Sequence, residues 1–261
     1  MTAPTEAENR YVPEKHAMLA YIYGRNPVLE WLRAGYPAEK LLFSRELSGA
    51  ALQEIEKLAA SRRIPFETVA RPELSRAAGS DHHQGVAARI LLPDYVEVDE
   101  ILARAEQRNE PPLIAVLDCI QDPHNFGAIL RSADGAGVHG VIIPKDNAAP
   151  MTAAVFKASA GAAAHVAVAR VTNLSRVMDD LKERGLWFAG TDEEGDILYT
   201  ELDLKGPAGL VLGSEGKGLR RLVREECDFI ARIPLSGKVN SLNVSVAAAL
   251  LFFEARRQRG F

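Results

Sequence analysis

Two glycine-rich stretches in the last third of the chain have the composition of ligand-binding loops. Residues 209–218 and 233–245 each begin with an apolar run typical of a strand and continue into glycine, serine and asparagine. Small residues leave backbone N–H and C=O groups accessible, because no Cβ blocks the approach of a ligand. Both stretches lead into a helical pattern. Together they predict most of a cofactor pocket, although the loops alone do not identify the cofactor.

The glycine loop at residues 213–218 matches neither of the common nucleotide-binding patterns. A Walker phosphate loop has Gly-Lys-Ser/Thr at its end, whereas Gly218 is followed here by Leu219. A dinucleotide fingerprint opens the first strand–helix turn of its domain and has an acidic partner about 20 residues later. This loop comes late and no such partner is well placed, which argues against a nicotinamide-dependent oxidoreductase. Taken alone, the loop is more typical of an ordinary strand-to-helix turn.

A third loop carries side chains suited to act on a substrate. Residues 122–127 place aspartate, asparagine and glycine after an apolar strand, where open α/β sheets bind ligands. Asn125 begins a predicted helix whose other residues are mostly apolar, so Arg131 within it indicates an anion or a partner. Ser241 and Asn243 stand at the mouth of the last helix and are suited to capping it as well as to lining a site.

The elements expected to position these loops form two α/β units. Residues 1–18 are polar and predict a flexible tail. Strands and helices alternate over residues 19–92, the first predicted domain. Paired prolines close a charged segment, so we place a linker at residues 93–111 and a second domain at residues 112–261. That domain opens with residues 113–117, a continuous apolar run typical of a buried parallel strand.

The composition is that of an ordinary globular protein. The chain has 261 residues, 25 % of them charged, and a formal net charge of −4, which argues mildly against nucleic-acid binding over its whole surface. No apolar run approaches the roughly 20 residues of a membrane span, and the polar N-terminus predicts no secretion signal. Cys119 and Cys227 are far apart and predict reduced thiols in a cytoplasmic protein. No histidines and cysteines stand at metal-ligand spacing, so we expect no metal.

Three motifs in this order resemble those of the TrmH (SpoU) family of SPOUT RNA ribose 2′-O-methyltransferases. They are residues 118–137, 212–218 and 233–245. Each motif alone is weak, but the three together are specific, and the resemblance covers nearly all of the chain after residue 20. The nearest subgroup is the RlmB type, which methylates a guanosine ribose in the peptidyl-transferase region of 23S rRNA.

The resemblance implies a two-part α/β fold and a cofactor. The C-terminal SPOUT domain would have a parallel sheet and a deep trefoil knot formed by the two glycine-rich loops. S-adenosylmethionine would bind in the knot, against the backbone near Thr191, Gly213, Ile233 and Leu242. The N-terminal unit is similar to a small RNA-binding fold of kink-turn-binding ribosomal proteins, so the expected partner is 23S rRNA, before or during ribosome assembly.

The resemblance also implies a homodimer in which the helices of the knot face each other. The last helix agrees with this, because residues 250–253 are apolar on more than one side. Packing of this helix wholly inside its own subunit is the alternative.

The implied reaction is an in-line attack of the ribose 2′-oxygen on the methyl group of a sulfonium. In the family pattern Arg131 is catalytic, Asn125 and Glu215 orient it, and Ser241 and Asn243 complete the site. Because the pKa of arginine exceeds about 12, we expect Arg131 to bind the RNA phosphate and to stabilise the developing alkoxide, not to act as a literal base.

Two alternatives stay open at this stage. The same chemistry could act on another rRNA site or on tRNA, although family members that act on tRNA usually carry basic or helical extensions instead of such an N-terminal domain. The second alternative is a catalytically silent ribosome-assembly factor that binds RNA. The joint presence of Asn125, Arg131, Glu215 and Asn243 argues against it.

Overall fold

The first unit of the chain is a four-stranded mixed sheet with helices. The computed structural model describes residues 19–45, 50–214, 216–238 and 241–260, so the predicted tail and Glu215 lie outside the described residues. The strand order is β1-β4-β2-β3, in which only β2 and β3 pair in parallel. The elements are β1 (Leu19–Tyr23), α1 (Arg25–Arg33), β2 (Ala38–Ser44), α2 (Ala50–Ser61), β3 (Phe66–Val69), α3 (Arg71–Ala78) and β4 (Val86–Leu91).

The second unit is built on a seven-stranded parallel sheet within the described residues. Its strand order is β7-β6-β5-β10-β8-β11-β9, which confirms the predicted α/β fold with a parallel sheet. The elements are α4 (Val98–Gln107), β5 (Leu113–Leu117), α5 (Pro123–Ala136), β6 (Gly140–Pro144), α6 (Ala153–Ala158), β7 (Ala167–Val171), α7 (Leu174–Glu183), β8 (Trp187–Thr191), β9 (Ile197–Leu198), β10 (Ala208–Leu212), α8 (Arg221–Glu225), β11 (Phe229–Arg232) and α9 (Val244–Arg259).

The central strands bring the three motif loops to one edge of this sheet. All residues of β5 and β10 are buried, as expected for a parallel sheet covered on both faces. The two strands are neighbours in register, with Leu117 paired to Leu212. Because parallel strands end at the same edge, the loops after β5, β10, β8 and β11 all open there, which is where such sheets bind ligands.

Helices α5 and α9 pack side by side and both begin at that edge. Asp122 caps α5 by accepting the backbone N–H of His124 at 2.9 Å, and Asn243 caps α9 by accepting that of Ser245 at 2.9 Å. On its other side α5 meets α6 closely, since a Cβ at Gly127 would lie 2.5 Å from that of Ala158. Contacts on both sides fix α5 relative to the sheet.

The segment predicted as a linker contains a helix that belongs to the second sheet. Helix α4 starts at a capping box formed by Glu97 and Glu100. Its Ile101 is fully buried, and a Cβ at Gly140 would lie 2.6 Å from that side chain. We therefore propose that the second unit begins before α4 and that the connection between the units is shorter than residues 93–111.

The two units share part of one core. The ring of Trp31 in α1 lies edge-on to that of Phe156 in α6, with centroids 5.5 Å apart. The Nε2 of His165 lies 3.1 Å from a carboxylate oxygen of Glu30. The Nζ of Lys157 donates to the carbonyl of His82 at 3.2 Å, and burial lowers the pKa of this lysine. The first unit is thus held against the second by apolar and polar contacts.

A candidate cofactor and substrate site

A cavity of about 790 Å³ opens at the carboxyl ends of β8, β10 and β11. All four residues predicted to contact the cofactor line it, together with one of those predicted to complete the active site. They are Thr191, Gly213, Ile233, Leu242 and Ser241. The fold thus brings the ends of three strands and the start of the last helix together in the cavity wall. Of the five residues, Thr191 and Leu242 are the farthest apart in the chain, at 51 positions.

The loop after β10 folds back on itself along the cavity. Ser214 and Gly218 exchange backbone hydrogen bonds of 3.1 and 3.0 Å, so the chain turns back tightly between these two residues in what we call the hairpin. A Cβ at Gly213 would lie 2.2 Å from the carbonyl carbon of Gly218, so a side chain at this position would force the backbone apart. Gly218 has φ +63°, a conformation that glycine adopts readily. The glycine pattern is therefore required by the hairpin itself.

Two of the predicted catalytic residues, Asn125 and Asn243, adjoin the cavity lining at Leu242 and Val244. The Nδ2 of Asn243 donates to the Oδ1 of Asn125 at 2.9 Å, which links the first turns of α9 and α5. Asn125, Asn243 and Arg131 do not line the cavity. Glu215 lies outside the described residues, so its predicted role in orienting Arg131 stays a prediction.

Arg131 lies on the exposed face of α5, next to an apolar strip of α9. Asn125 is bonded to Asn243, and a Cβ at Gly135 would lie 3.5 Å from the ring of Phe253. The members of each pair are 118 residues apart in sequence, so the two helices run parallel in one register. This register places Arg131 level with Ala249 and Leu250. Within the described residues, no hydrogen bond or ion pair engages the guanidinium of Arg131. The exposed strip consists of Val246, Leu250 and Phe253.

Two ion pairs at this edge were not expected from the sequence. Asp118, which follows β5 directly, is completely buried and binds Arg220 with an Oδ1–Nε distance of 2.6 Å. Asp192, which lines the cavity, binds Arg224 at 2.5 Å. The available signal for Asp118 was a carboxylate directly after a fully apolar strand, because such a residue is buried and needs partners.

Neither cysteine is suited to nucleophilic chemistry. Both are free thiols. Burial raises the pKa of Cys227 to about 12, and burial together with nearby Asp118 raises that of Cys119. In the described part of the chain, no group of three or more histidine, cysteine, aspartate or glutamate residues is placed to hold a metal ion. Over the same residues, no helix is long and apolar enough to cross a membrane.

Comparison with known proteins gives matches over both units. The model of the SpoU rRNA Methylase family matches residues 112–253, and that of the RNA 2′-O ribose methyltransferase substrate-binding domain matches residues 21–96. YacO of Bacillus subtilis, assigned to the TrmH family of tRNA/rRNA methyltransferases, is 43 % identical over 239 residues, which are 92 % of this chain and 96 % of YacO.

Two solved structures of methyltransferases resemble this chain over 92 % of its length. AviRb of Streptomyces viridochromogenes, a SpoU methyltransferase in complex with AdoMet, superposes with a TM-score of 0.77 at 30 % identity, covering 92 % of this chain and 90 % of AviRb. The AdoMet-bound rRNA methyltransferase of Sinorhizobium meliloti gives a TM-score of 0.75 at 25 % identity over 92 % and 87 %. In contrast, the TrmH/SpoU tRNA modifying enzyme of A. aeolicus gives 0.52 at 28 % identity and covers 61 % of this chain and 84 % of its own.

Proposed function

The chain belongs to the SpoU rRNA methylase family of RNA 2′-O-methyltransferases, and on that premise we propose that it methylates a guanosine ribose in the peptidyl-transferase region of 23S rRNA. S-adenosylmethionine is the proposed methyl donor. The observation that carries the proposal is the cavity at the carboxyl edge of the sheet, lined by Thr191, Gly213, Ile233 and Leu242. The substrate is in the cytoplasm, where we place the protein.

The cavity fits the proposed cofactor in its volume and in its lining residues. Its volume of about 790 Å³ accommodates a nucleoside with an amino-acid tail. Gly213 and Gly218 line the cavity without side chains, and Leu242 and Ile233 supply apolar surface for an adenine ring. When bound, the cofactor supplies a methyl group already activated by a positive sulfur. The deep trefoil knot is part of this proposal, formed by the chain around residues 213–218 and 233–245.

The residues beside the cavity would hold the RNA and its reacting hydroxyl. Arg131 is exposed and is level with Ala249 and Leu250 of α9, where a phosphate next to the target ribose can reach it. A fixed positive charge there stabilises negative charge as the 2′-oxygen loses its proton. The Asn125–Asn243 bond holds the two helix ends together, and Ser241 places a hydroxyl in the cavity wall.

The first unit supports rRNA as the substrate class. A solved rRNA methyltransferase covers 92 % of this chain, whereas a solved tRNA modifying enzyme of the same family covers 61 %. The match of residues 21–96 to a substrate-binding domain agrees with a role for this unit in RNA recognition.

A homodimer is a further part of the proposal. Val246 and Phe253 are 47 % and 44 % exposed, and with Leu250 they form one stripe along α9 beside Arg131. A second copy packed on this stripe would bury it and bring its own residues close to Arg131.

Ribose-methylation mapping tests the proposed substrate. Total rRNA and tRNA are compared between cells with and without this protein. We expect the loss of 2′-O-methylation at one guanosine of 23S rRNA, restored by the wild-type chain and not by Arg131→Ala. Loss at a tRNA position would show that the substrate is tRNA. Unchanged RNA, with no calorimetric binding of S-adenosylmethionine, would support the silent assembly factor.

A further inference from the structure

One buried carboxylate residue is bonded to both ends of the loop formed by residues 213–220. Asp118 follows β5 and has no exposed surface. Its backbone N–H donates to the carbonyl of Leu212, the last residue of β10, at 2.8 Å. Its Oδ2 accepts the backbone N–H of Arg220 at 2.7 Å, and its Oδ1 accepts the Nε–H of the same residue at 2.6 Å. Asp118 therefore joins the residue before the loop to the residue at its end.

The loop between these two bonds forms part of the cavity wall. Gly213, Ser214, Gly216, Lys217 and Gly218 all line the cavity. The Ser214–Gly218 hydrogen bonds close the hairpin, and Gly213 lies directly against Gly218. A change in the separation of the loop's ends would therefore move the wall on which a cofactor lies.

The bond from Asp118 to a backbone amide makes this pair different from an ordinary ion pair. A completely buried carboxylate is stable only when hydrogen bonds and a partner charge compensate its lost hydration. The side chain of Arg220 is half-exposed and can move, but its backbone N–H moves only with the chain. The carboxylate of Asp118 thus fixes the path of the loop in addition to neutralising a side chain.

We propose that Asp118 is a positioning residue that holds loop 213–220 closed around S-adenosylmethionine. This inference rests on the proposed function, since it takes that cofactor as the ligand of the cavity. Asp118 itself is not among the residues that line the cavity. It acts on the cofactor through the loop.

The two side-chain bonds from Asp118 to Arg220 form a clamp on the end of the loop. The substitution Asp118→Asn weakens this clamp with little change in side-chain volume. The carboxylate of Asp118 has one oxygen for each of two N–H groups of Arg220, whereas an asparagine amide has a single oxygen. The end of the loop therefore loses a charge-assisted hydrogen bond. We expect the affinity for S-adenosylhomocysteine to fall at least about tenfold, because one such bond contributes that much. The affinity for an rRNA fragment should stay within about twofold, because the loop clamp faces the cofactor cavity and leaves the first unit unchanged.

The matched control is Asp99→Asn, the same chemical change in an exposed pair. Asp99 accepts a hydrogen bond from Nη1 of Arg184 at the surface of the second unit, and both side chains are more than half exposed. Arg220→Ala provides a second test, since it removes the Nε bond and keeps the backbone bond. Its effect should have the same direction as that of Asp118→Asn and be smaller.

Two measurements on the full chain decide the proposal. Hydrogen–deuterium exchange without ligand reports on the amides of residues 213–220, and calorimetry measures S-adenosylhomocysteine binding. We expect faster loop exchange and weaker binding in Asp118→Asn and in Arg220→Ala, with wild-type values in Asp99→Asn. Unchanged loop exchange in both clamp variants, or faster exchange with unchanged binding, would overturn the proposal. Absence of binding by the wild type would instead refute the cofactor assignment, while the exchange data would still show whether Asp118 holds the loop.

Discussion

At the scale of single residues, a substitution of Arg131 should lower the rate of methyl transfer without changing the affinity for the cofactor. Arg131 is exposed on α5 and does not line the cavity. We expect Arg131→Ala to lower the rate of methyl transfer at least about 100-fold, as for loss of a group that stabilises developing charge. The affinity for S-adenosylhomocysteine should stay at its wild-type value. Single-turnover kinetics and calorimetry measure the two effects, and near-normal turnover would remove Arg131 from the mechanism.

Because of the buried side chain of His139, we expect the stability of the folded chain to depend on pH. This side chain is fully buried, and its Nδ1 accepts the backbone N–H of Leu113 at 3.0 Å, which requires that nitrogen to be unprotonated. Burial lowers the pKa of His139 below its ordinary value of 6.5. As the pH falls through 6.5, His139 therefore binds a proton in the unfolded chain but not in the folded chain. The free energy of unfolding decreases with falling pH until the pH reaches the lower pKa that His139 has in the folded chain.

The substitution His139→Asn isolates this contribution. Asparagine keeps an acceptor for the amide of Leu113 and does not titrate. Thermal unfolding between about pH 7.5 and pH 5 should show a larger fall in Tm for the wild type than for His139→Asn. Parallel curves for the two proteins would show that His139 does not exclude the proton.

At the scale of elements, the crossing of α5 and α6 depends on one glycine. A Cβ at Gly127 would lie 2.5 Å from the Cβ of Ala158 and 2.9 Å from the backbone nitrogen of Ser159. We expect Gly127→Ala to lower the free energy of unfolding by about 1–3 kcal/mol, the usual range for overpacking. Urea unfolding measures this loss.

Gly135 in the same helix gives the matched control. Among the residues that the structure describes, a Cβ there meets only the ring edge of Phe253, at an ordinary contact distance of 3.5 Å. Because alanine favours a helix more than glycine does, Gly135→Ala should be neutral or stabilising by up to about 1 kcal/mol. Equal destabilisation by the two substitutions would contradict the account of the α5–α6 contact.

The sequence predicted the elements whose signals are local. The apolar runs of β5 and β10 are found where expected. The two-residue strand β9 was missed because it is too short to show periodicity. Helix α4 was placed in a linker because its apolar face, around Ile101, is narrow and surrounded by charge.

The loops that form the candidate site were predictable from the sequence, but the contacts between them were not. The residues implied by the motif resemblance to contact the cofactor do line one cavity, yet their role in binding is still a proposal. Asp118 and Arg220 are 102 residues apart, and their pairing follows from the adjacency of β5 and β10. Strand order depends on contacts between distant segments, which a single sequence does not display.

At the scale of the whole molecule, the apolar stripe on α9 predicts self-association. Leu250 and Phe253 are partly exposed beside Arg131, whereas Leu251 and Phe252 are fully buried in the subunit. A charged residue in a buried apolar interface lacks hydration and a partner. Leu250→Glu and Phe253→Glu should therefore give monomers in light scattering at micromolar concentration and should reduce methyl transfer.

Phe66→Glu is the control for this prediction. Phe66 is half exposed on β3 of the first unit, away from α9, so its substitution should leave the oligomeric state unchanged. A wild-type chain that is already monomeric would contradict the proposed dimer.

The central claim, methyl transfer to a ribose 2′-oxygen, is tested most directly by following the methyl group. The purified chain is incubated with S-adenosylmethionine labelled in its methyl group and with a 23S rRNA transcript, and the RNA is digested to nucleosides for mass spectrometry. The account predicts label in 2′-O-methylguanosine and none when Arg131→Ala replaces the wild type. Label on a base, or an unlabelled transcript although the wild-type protein is folded and binds the cofactor, would contradict it.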